Sequence, residues 1–177
     1  MIELAPFRGS DTATLLDWIP DDEFLAQWAG SNFSPPLDTA EFDAFRERAA
    51  RESPPSRLYR VTRTGSDEMV GYGELASIDL PNRSARLSRL LISPDHRRAG
   101  LGGAMVEALL AVAFDELALH RVALGVFDFN RAAIRCYQKA GFRVEGTRRE
   151  CNRVADVWWD SCIMAVLDSE WRAGPSS

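Results

Sequence analysis

The sequence predicts one α/β domain whose sheet is mixed but mostly antiparallel. Strand-like segments joined by short polar turns fill the middle of the chain, which is typical of antiparallel hairpins. One of these strands is followed by a helical pattern and a further strand, and such a crossover places its two strands parallel. With 177 residues, 46% of them apolar, the chain can bury roughly 70% of its unfolded surface. We therefore expect a core that needs neither disulfides nor a metal.

The first third of the chain is predicted to be helical after a short strand at residues 2–4. Side chains that accept hydrogen bonds from free N–H groups, or that favour the positive end of the helix dipole, mark three helix starts. These are Ser10 or Asp11, the acidic run 21–23, and Asp38 or Thr39. In the third helix Phe42, Phe45 and Ala49 share one face, so this face is expected to be buried.

The remainder of the chain alternates between strand and helix patterns. In chain order we predict strands at 57–63, 69–78 and 84–92, a helix at 102–114, a strand at 121–127, a helix at 131–140, and strands at 142–149 and 157–167. The helix that follows residue 92 opens at the sheet edge where ligands of α/β proteins usually bind. The domain is expected to cover residues 1–172, with a tail at 173–177.

The charge balance and the cysteines exclude several function classes. A net charge of −5, from 21 basic and 26 acidic residues, argues against nucleic acid or an anionic membrane as a partner. No apolar run reaches the ~20 residues of a membrane span, and the start resembles no leader, so we expect a cytoplasmic protein. The three cysteines lack metal-ligand spacing, which predicts reduced packing residues and no metal site.

A glycine-rich turn between the strand at 84–92 and the next helix is the most informative segment. Its sequence is Arg97-Arg98-Ala99-Gly100-Leu101-Gly102. Glycines leave backbone N–H groups bare at a helix N-terminus, and the two arginines add positive charge, so a phosphate site is favoured. The glycines could instead serve close helix packing. A nucleoside-triphosphate loop is disfavoured because Gly103-Ala104 stands where Lys-Ser or Lys-Thr is needed, and a dinucleotide site lacks its third glycine.

Two motifs in this order resemble the GNAT superfamily of acyl-CoA N-acyltransferases. The first is 97–102, which is similar to the family's pyrophosphate motif, and the second is 130–142, with its Asn, Tyr and terminal Gly-Phe. Residues 69–73 resemble the strand that precedes the first motif. Trp158-Trp159-Asp160 and Glu170-Trp171 resemble, more loosely, the ribosomal-protein N-terminal acetyltransferase branch.

The resemblance implies acetyl-CoA as the acyl donor, bound where the fourth and fifth strands splay apart. It implies that the pantetheine arm pairs with the main chain of Leu90, Leu91 and Ile92, and that the pyrophosphate is held by Arg97, Arg98, Ala99, Gly100, Leu101 and Gly102. Asn130, Ala133 and Tyr137 would contact the donor from the other side. An amine would attack the thioester directly, with placement and carbonyl polarisation supplied by the protein.

Two proton transfers need candidates. The family pattern places Tyr137 near the leaving sulfur, as general acid or as a thiolate-orienting donor; the alternative is a packing aromatic. Glu74 interrupts an apolar strand face and is the candidate base, but it could equally pair with Arg86 or Arg89. Asp160 could bind a substrate amine. Neither histidine is assigned a role.

The acceptor is expected to be a primary amine, on a peptide N-terminus or on a small molecule. Trp18, Phe24, Trp28 and Phe33 could line its groove or form core, and the acids Asp17, Asp21, Asp22 and Glu23 suit a cation but also suit helix starts. A non-catalytic acyl-CoA sensor on the same fold is the alternative function. The sequence does not set the oligomeric state, and it is compatible with a homodimer.

Overall fold

A seven-stranded sheet with helices on both faces forms the protein in the computed structural model, which describes residues 1–53 and 55–174. The strand order is β1-β2-β3-β4-β5-β7-β6. The strands are β1 (Ile2–Pro6), β2 (Arg57–Arg63), β3 (Met69–Asp79), β4 (Ser84–Ile92), β5 (Arg121–Phe127), β6 (Arg143–Val154) and β7 (Val157–Leu167). The helices are α1 (Thr12–Leu16), α2 (Asp22–Ala29), α3 (Thr39–Ala49), α4 (Leu101–Ala111), α5 (Arg131–Lys139) and α6 (Asp168–Ala173).

The predicted fold class is confirmed. In the described part of the chain β4 and β5 form the one parallel pair, joined by α4, and the other neighbouring strands pair antiparallel. Four predicted strands have the bounds that the structure gives, namely β2, β4, β5 and β7. β6 continues to Val154, five residues past the prediction, because it forms a long hairpin with β7.

The C-terminal end differs from the prediction. Residues 168–173 form α6, a helix that the sequence pattern does not predict, and the expected boundary between 172 and 173 falls inside it. Glu170 accepts a hydrogen bond from the Leu167 N–H at 3.0 Å, and Trp171 donates to Glu107 on α4. These contacts fix α6 on the domain. Residues 175–177 of the expected tail lie outside the described residues.

The sheet separates two hydrophobic clusters. On one face α4 and α5 cover Ala85 and Leu87 of β4 together with residues of β5 and β7. On the other face α1 to α3 pack around the fully buried Tyr72 of β3. The predicted inner face of α3 is confirmed, since Phe42, Phe45 and Ala49 are all buried. No helix among residues 1–53 and 55–174 is long and apolar enough to span a membrane.

Candidate active site

The parallel strands β4 and β5 separate after a short paired stretch. Their pairing covers Ser84–Arg86 against Arg121–Ala123 and then stops. Beyond that point the two strands diverge, and both line a cavity of about 600 Å³. Residues 86–92 of β4 and 124–127 of β5 form its two walls, while α2, α5, the β6–β7 hairpin and neighbouring loop residues contribute the rest of the lining. The splayed pair is therefore present.

A β-bulge turns β4 away from β5. Tyr72 pairs with Leu91 and Glu74 with Ser88, so three steps on β4 oppose two on β3. Arg89 occupies the bulge with a left-handed φ of +48°. The Trp28 Nε1–H donates to the Arg89 carbonyl oxygen at 3.0 Å, which anchors the bulge to α2. This tie positions the cavity wall.

A buried ion pair holds the same bulge from beneath. Both oxygens of Glu74, which is 0% exposed, accept hydrogen bonds of 2.6 Å from Arg89, and the Tyr72 hydroxyl donates to Oε1 at 2.5 Å. Burial, and next the Glu74 charge, raise the pKa of Tyr72 well above its ordinary value, so this phenol stays a donor. Burial lowers the pKa of Arg89 but Glu74 raises it, with a net upward shift that keeps the guanidinium charged.

The glycine turn before α4 carries six free backbone donors. For the N–H groups of residues 98–103, no acceptor lies in hydrogen-bonding geometry within the described ranges 1–53 and 55–174. Arg98 and Gly100 have left-handed φ values of +64° and +76°, a local geometry that gathers successive N–H groups on one concave surface. A Cβ placed on Gly100, Gly102 or Gly103 would meet nothing within 4 Å. Among residues 1–53 and 55–174, no side chain fills the space beside these three glycines.

Arg97 links the turn to the cavity. Its Nε–H donates to the Ile92 carbonyl oxygen at 3.3 Å, and its guanidinium lies 5.5 Å from the ring centre of Phe24 on α2. Arg97 lines the cavity, whereas residues 98–102 lie beyond its rim. The free N–H groups and the cavity are therefore adjacent parts of one concave site that can take an elongated anionic ligand.

The sequence comparisons identify the family to which this architecture belongs. The sequence profile of the Acetyltransferase (GNAT) family matches residues 22–142, more than half of the chain. This chain is a member of the GNAT acetyltransferase family.

Individual GNAT relatives match a shorter region in sequence than in structure. A probable N-acetyltransferase of Bacillus subtilis is 27% identical over 112 residues, covering 63% of this chain and 62% of its own length. A spermidine N(1)-acetyltransferase of Vibrio cholerae is 30% identical over 111 residues, covering 63% of this chain and 64% of its own length. The chain thus spans less than two thirds of these curated relatives. A spermidine N-acetyltransferase from Vibrio cholerae, solved with CoA and spermine, superposes with a TM-score of 0.84 at 22% identity, covering 97% and 98% of the two chains. The superposition shows that the fold is shared.

Of the three residues predicted to contact the acyl donor from α5 and its N-terminus, two line the cavity and one does not. Asn130 and Tyr137 line the cavity. Asn130 also caps α5, accepting from the Ala133 N–H at 3.2 Å. Ala133 packs against the core, and its neighbour Ala132 takes the place at the cavity wall. Burial, and next Cys136, raise the pKa of Tyr137 above its ordinary value.

The other predicted site residues are distributed as follows. The three β4 residues Leu90, Leu91 and Ile92 all line the cavity. Glu74 does not line it, and its carboxylate forms the pair with Arg89 that is the alternative to a role as base. The Asp160 carboxylate accepts from the Glu150 N–H at 2.7 Å. Of the four early aromatics, Phe24 and Trp28 line the cavity, while Trp18 and Phe33 are buried core.

Several cavity residues carry no functional assignment from the sequence, although the sequence offers one of them, Arg86, as a partner for Glu74, which pairs with Arg89 instead. They are Gln27, Asn32, Arg86, Arg148, Asn152 and Ser161. They come from α2, the loop after it, and the three strands β4, β6 and β7, and only the sheet order, in which β5 lies between β4 and β7, brings them together. No spacing along the chain signals that arrangement.

Proposed function

We propose that this protein is an acetyl-CoA-dependent N-acetyltransferase that acetylates a primary amine by direct attack on the thioester. The observation that carries the proposal is the row of six free N–H groups at residues 98–103, directly beside the splay of β4 and β5. A diphosphate needs several convergent donors and local positive charge, and the turn supplies both although the chain is acidic overall. Membership of the GNAT family supports the same reaction.

The donor would lie along the splay. The edge of β4 that faces β5 has no strand partner beyond Arg86, so main-chain groups of Leu90 to Ile92 can pair with the amides of a pantetheine arm. Arg97 to Gly102 would hold the pyrophosphate. Asn130 and Tyr137 would approach from α5, with Ala133 behind them supporting the Asn130 side chain. This placement leaves the α2 side of the cavity for the acceptor.

The chemistry requires one bond to form and one to break. The amine nitrogen bonds to the acetyl carbonyl carbon, the carbon–sulfur bond breaks, and its electron pair leaves with sulfur. We assign Tyr137 the task of donating a hydrogen bond to that sulfur. Because burial raises the phenol pKa above its ordinary value near ~10, and a thiol has a pKa near ~8.5, the phenol stays protonated and the thiolate takes its final proton from water.

The amine must also lose a proton. Glu74 is the base that the strand pattern predicts, but a direct role would need access to the cavity, and its oxygens are occupied by Arg89 and Tyr72. We therefore propose that water in the cavity accepts the amine proton and that Glu74 is a positioning residue. It acts by fixing Arg89 and hence the bulge of β4.

Two acceptor classes follow from the resemblances, a peptide N-terminus and a small amine. The residues that resemble the ribosomal-protein branch lie outside the cavity lining: Trp158 is 54% exposed, and Trp171 is bonded to Glu107. The related spermidine acetyltransferase supports a small-molecule amine instead. We favour the small amine.

The test combines CoA binding with turnover. Calorimetry with CoA and detection of free thiol, using acetyl-CoA and a panel of small amines and peptides, should give both a binding heat and amine-dependent thiol release. Absence of both would refute the proposal. Binding with no turnover on any amine would instead support the acyl-CoA sensor.

A further inference from the structure

The charged side chains that line the cavity are all basic. They are Arg86, Arg89, Arg97 and Arg148, and among the described residues no Asp or Glu shares the lining. This composition opposes that of the whole chain, which has 26 acidic and 21 basic residues. The acids at the start of α2 do not change it, because Asp21 caps the helix and neither Asp22 nor Glu23 lines the cavity. A local positive field in an acidic protein marks a site for an anion.

Two of the four arginines already have partners. Arg89 is neutralised by Glu74 and lies 4.6 Å from the ring centre of Phe45. Arg97 belongs to the glycine turn before α4, and it donates a hydrogen bond to the Ile92 carbonyl oxygen. Arg86 and Arg148 make no salt bridge and donate no hydrogen bond to any residue within 1–53 and 55–174. Their guanidinium groups are free for a ligand.

These two arginines lie on one row across the sheet. A guanidinium nitrogen of Arg86 is 3.7 Å from the point where a Cβ on Gly125 would stand, and the Ser161 hydroxyl is 3.4 Å from it. Arg148 of β6 is in register with Ser161 of β7. Because Gly125 has no side chain, the surface between Arg86 and Ser161 stays open. We call Arg86, Ser161 and Arg148 the arginine row.

The arginine row lies on the sheet face opposite α4. Ala85 and Leu87 flank Arg86 in β4 and pack into the cluster that α4 covers, so the side chain of Arg86 points to the opposite face. That face is the one on which α2 contributes Phe24 and Trp28 to the cavity. The row is thus on the side of the splay that α2 covers, which the proposed function leaves to the acceptor.

We propose that the acceptor amine carries an anionic oxygen group, a carboxylate or a phosphate, which the arginine row binds. This proposal rests on the proposed function and specifies its substrate class. Guanidinium groups form charge-assisted, often bidentate hydrogen bonds with such groups, and Ser161 adds a hydroxyl donor. A polyamine, which is cationic along its length, would be repelled by the same row.

Matched acceptor pairs test the proposal. β-Alanine against β-alaninamide examines the carboxylate, and phosphoethanolamine against ethanolamine examines the phosphate, with spermidine as the cationic comparison. We expect at least one anionic member to exceed its neutral partner in kcat/KM by about tenfold to hundredfold. Equal rates within both pairs, or spermidine as the best acceptor, would overturn the proposal.

Charge-removing variants locate the effect. Arg86→Gln and Arg148→Gln should lower kcat/KM for the preferred anionic acceptor about tenfold or more, while KM for acetyl-CoA and the rate with the neutral partner stay unchanged. Arg149→Gln is the matched control, because Arg149 is an exposed neighbour outside the cavity lining. Equal losses for anionic and neutral acceptors, or a raised KM for acetyl-CoA, would assign these arginines to the donor and refute the proposal.

A protein that acetylates no amine can still be tested for anion binding at the arginine row. If no amine in any pair is acetylated, calorimetric titration with β-alanine and phosphoethanolamine still decides whether the arginine row binds an anion. Heat that is present in the wild type and lost in both variants but not in Arg149→Gln would support the row. No heat in the wild type would refute it.

Discussion

Replacing Glu74 with glutamine should destabilise the protein, because it removes the carboxylate that forms a buried salt bridge with Arg89. The side chain of Arg89 is 12% exposed and that of Glu74 is 0% exposed. Glutamine keeps the volume, but its amide NH2 would face an Arg89 donor. Breaking a buried pair at one partner costs about 3–5 kcal/mol. We take the lower end, about 3 kcal/mol, since the amide oxygen can still accept one bond.

The loss should appear as a change in unfolding. For a domain of this size, 3 kcal/mol lowers Tm by about 6–12 °C, and urea unfolding should show a lower midpoint with an unchanged slope. The double variant Glu74→Leu with Arg89→Leu, made together with Tyr72→Phe so that no buried hydroxyl is left without its acceptor, replaces both charges by apolar groups. It should recover most of the loss, because neither charge is then left buried alone.

Two results would refute this reasoning. A cost below about 1 kcal/mol for Glu74→Gln would mean that the pair contributes no more than an exposed one. A double variant that is no more stable than Glu74→Gln would mean that the lost stability does not come from an unpaired Arg89. Kinetics separate the positioning role from the base role: loss of a base is rescued at high pH, where the amine deprotonates without help, and loss of the bulge is not.

Two further predictions concern the acyl-donor site, and a third concerns the bulge of β4. Tyr137→Phe should lower kcat about tenfold to hundredfold, while the CoA affinity measured by calorimetry stays unchanged. Because burial raises the pKa of Tyr137, the phenol stays neutral below that raised value, so the wild-type kcat should not fall with rising pH before pH ~10. A fall in kcat at pH 8–10 that the variant lacks would contradict this. Gly102→Val should weaken CoA binding at least about tenfold, since a Cβ there enters the open space beside the free N–H groups. The exposed control Ala104→Val should leave CoA binding unchanged. Equal CoA affinities of the two variants would contradict the assignment of the phosphate site. Trp28→Phe should lower the free energy of unfolding in urea by about 1 kcal/mol, because it leaves the Arg89 carbonyl unpaired. The control Trp158→Phe, at an exposed position, should lower it by less than about 0.5 kcal/mol. Equal losses would show that Trp28 does not anchor the bulge.

Local patterns were sufficient for the bounds of most strands and for the bare glycine turn before α4. Alternating apolar residues and polar turns predicted the bounds of β4 and β5, and the glycines at 100 and 102 predicted a bare helix N-terminus. These features depend on residues close in the chain. Reading them requires no knowledge of the sheet order.

The bulge and the arginine row could not be predicted in the same way. The left-handed Arg89 follows from a carboxylate on β3 and an indole on α2, each distant in sequence. The arginine row needs the register of four strands before Arg86 and Arg148 come onto one face. Helix α6 is short, and its contact with Glu107 is tertiary, so local propensity gave too little signal.

Amide hydrogen exchange with and without CoA tests most directly whether residues 98–103 bind the diphosphate. We predict slower exchange on CoA addition in the peptides that cover these six amides, and no change in the exposed turn at residues 64–67, which serves as an internal reference. CoA binding that leaves exchange at 98–103 unaltered would contradict the assignment of the diphosphate to this turn.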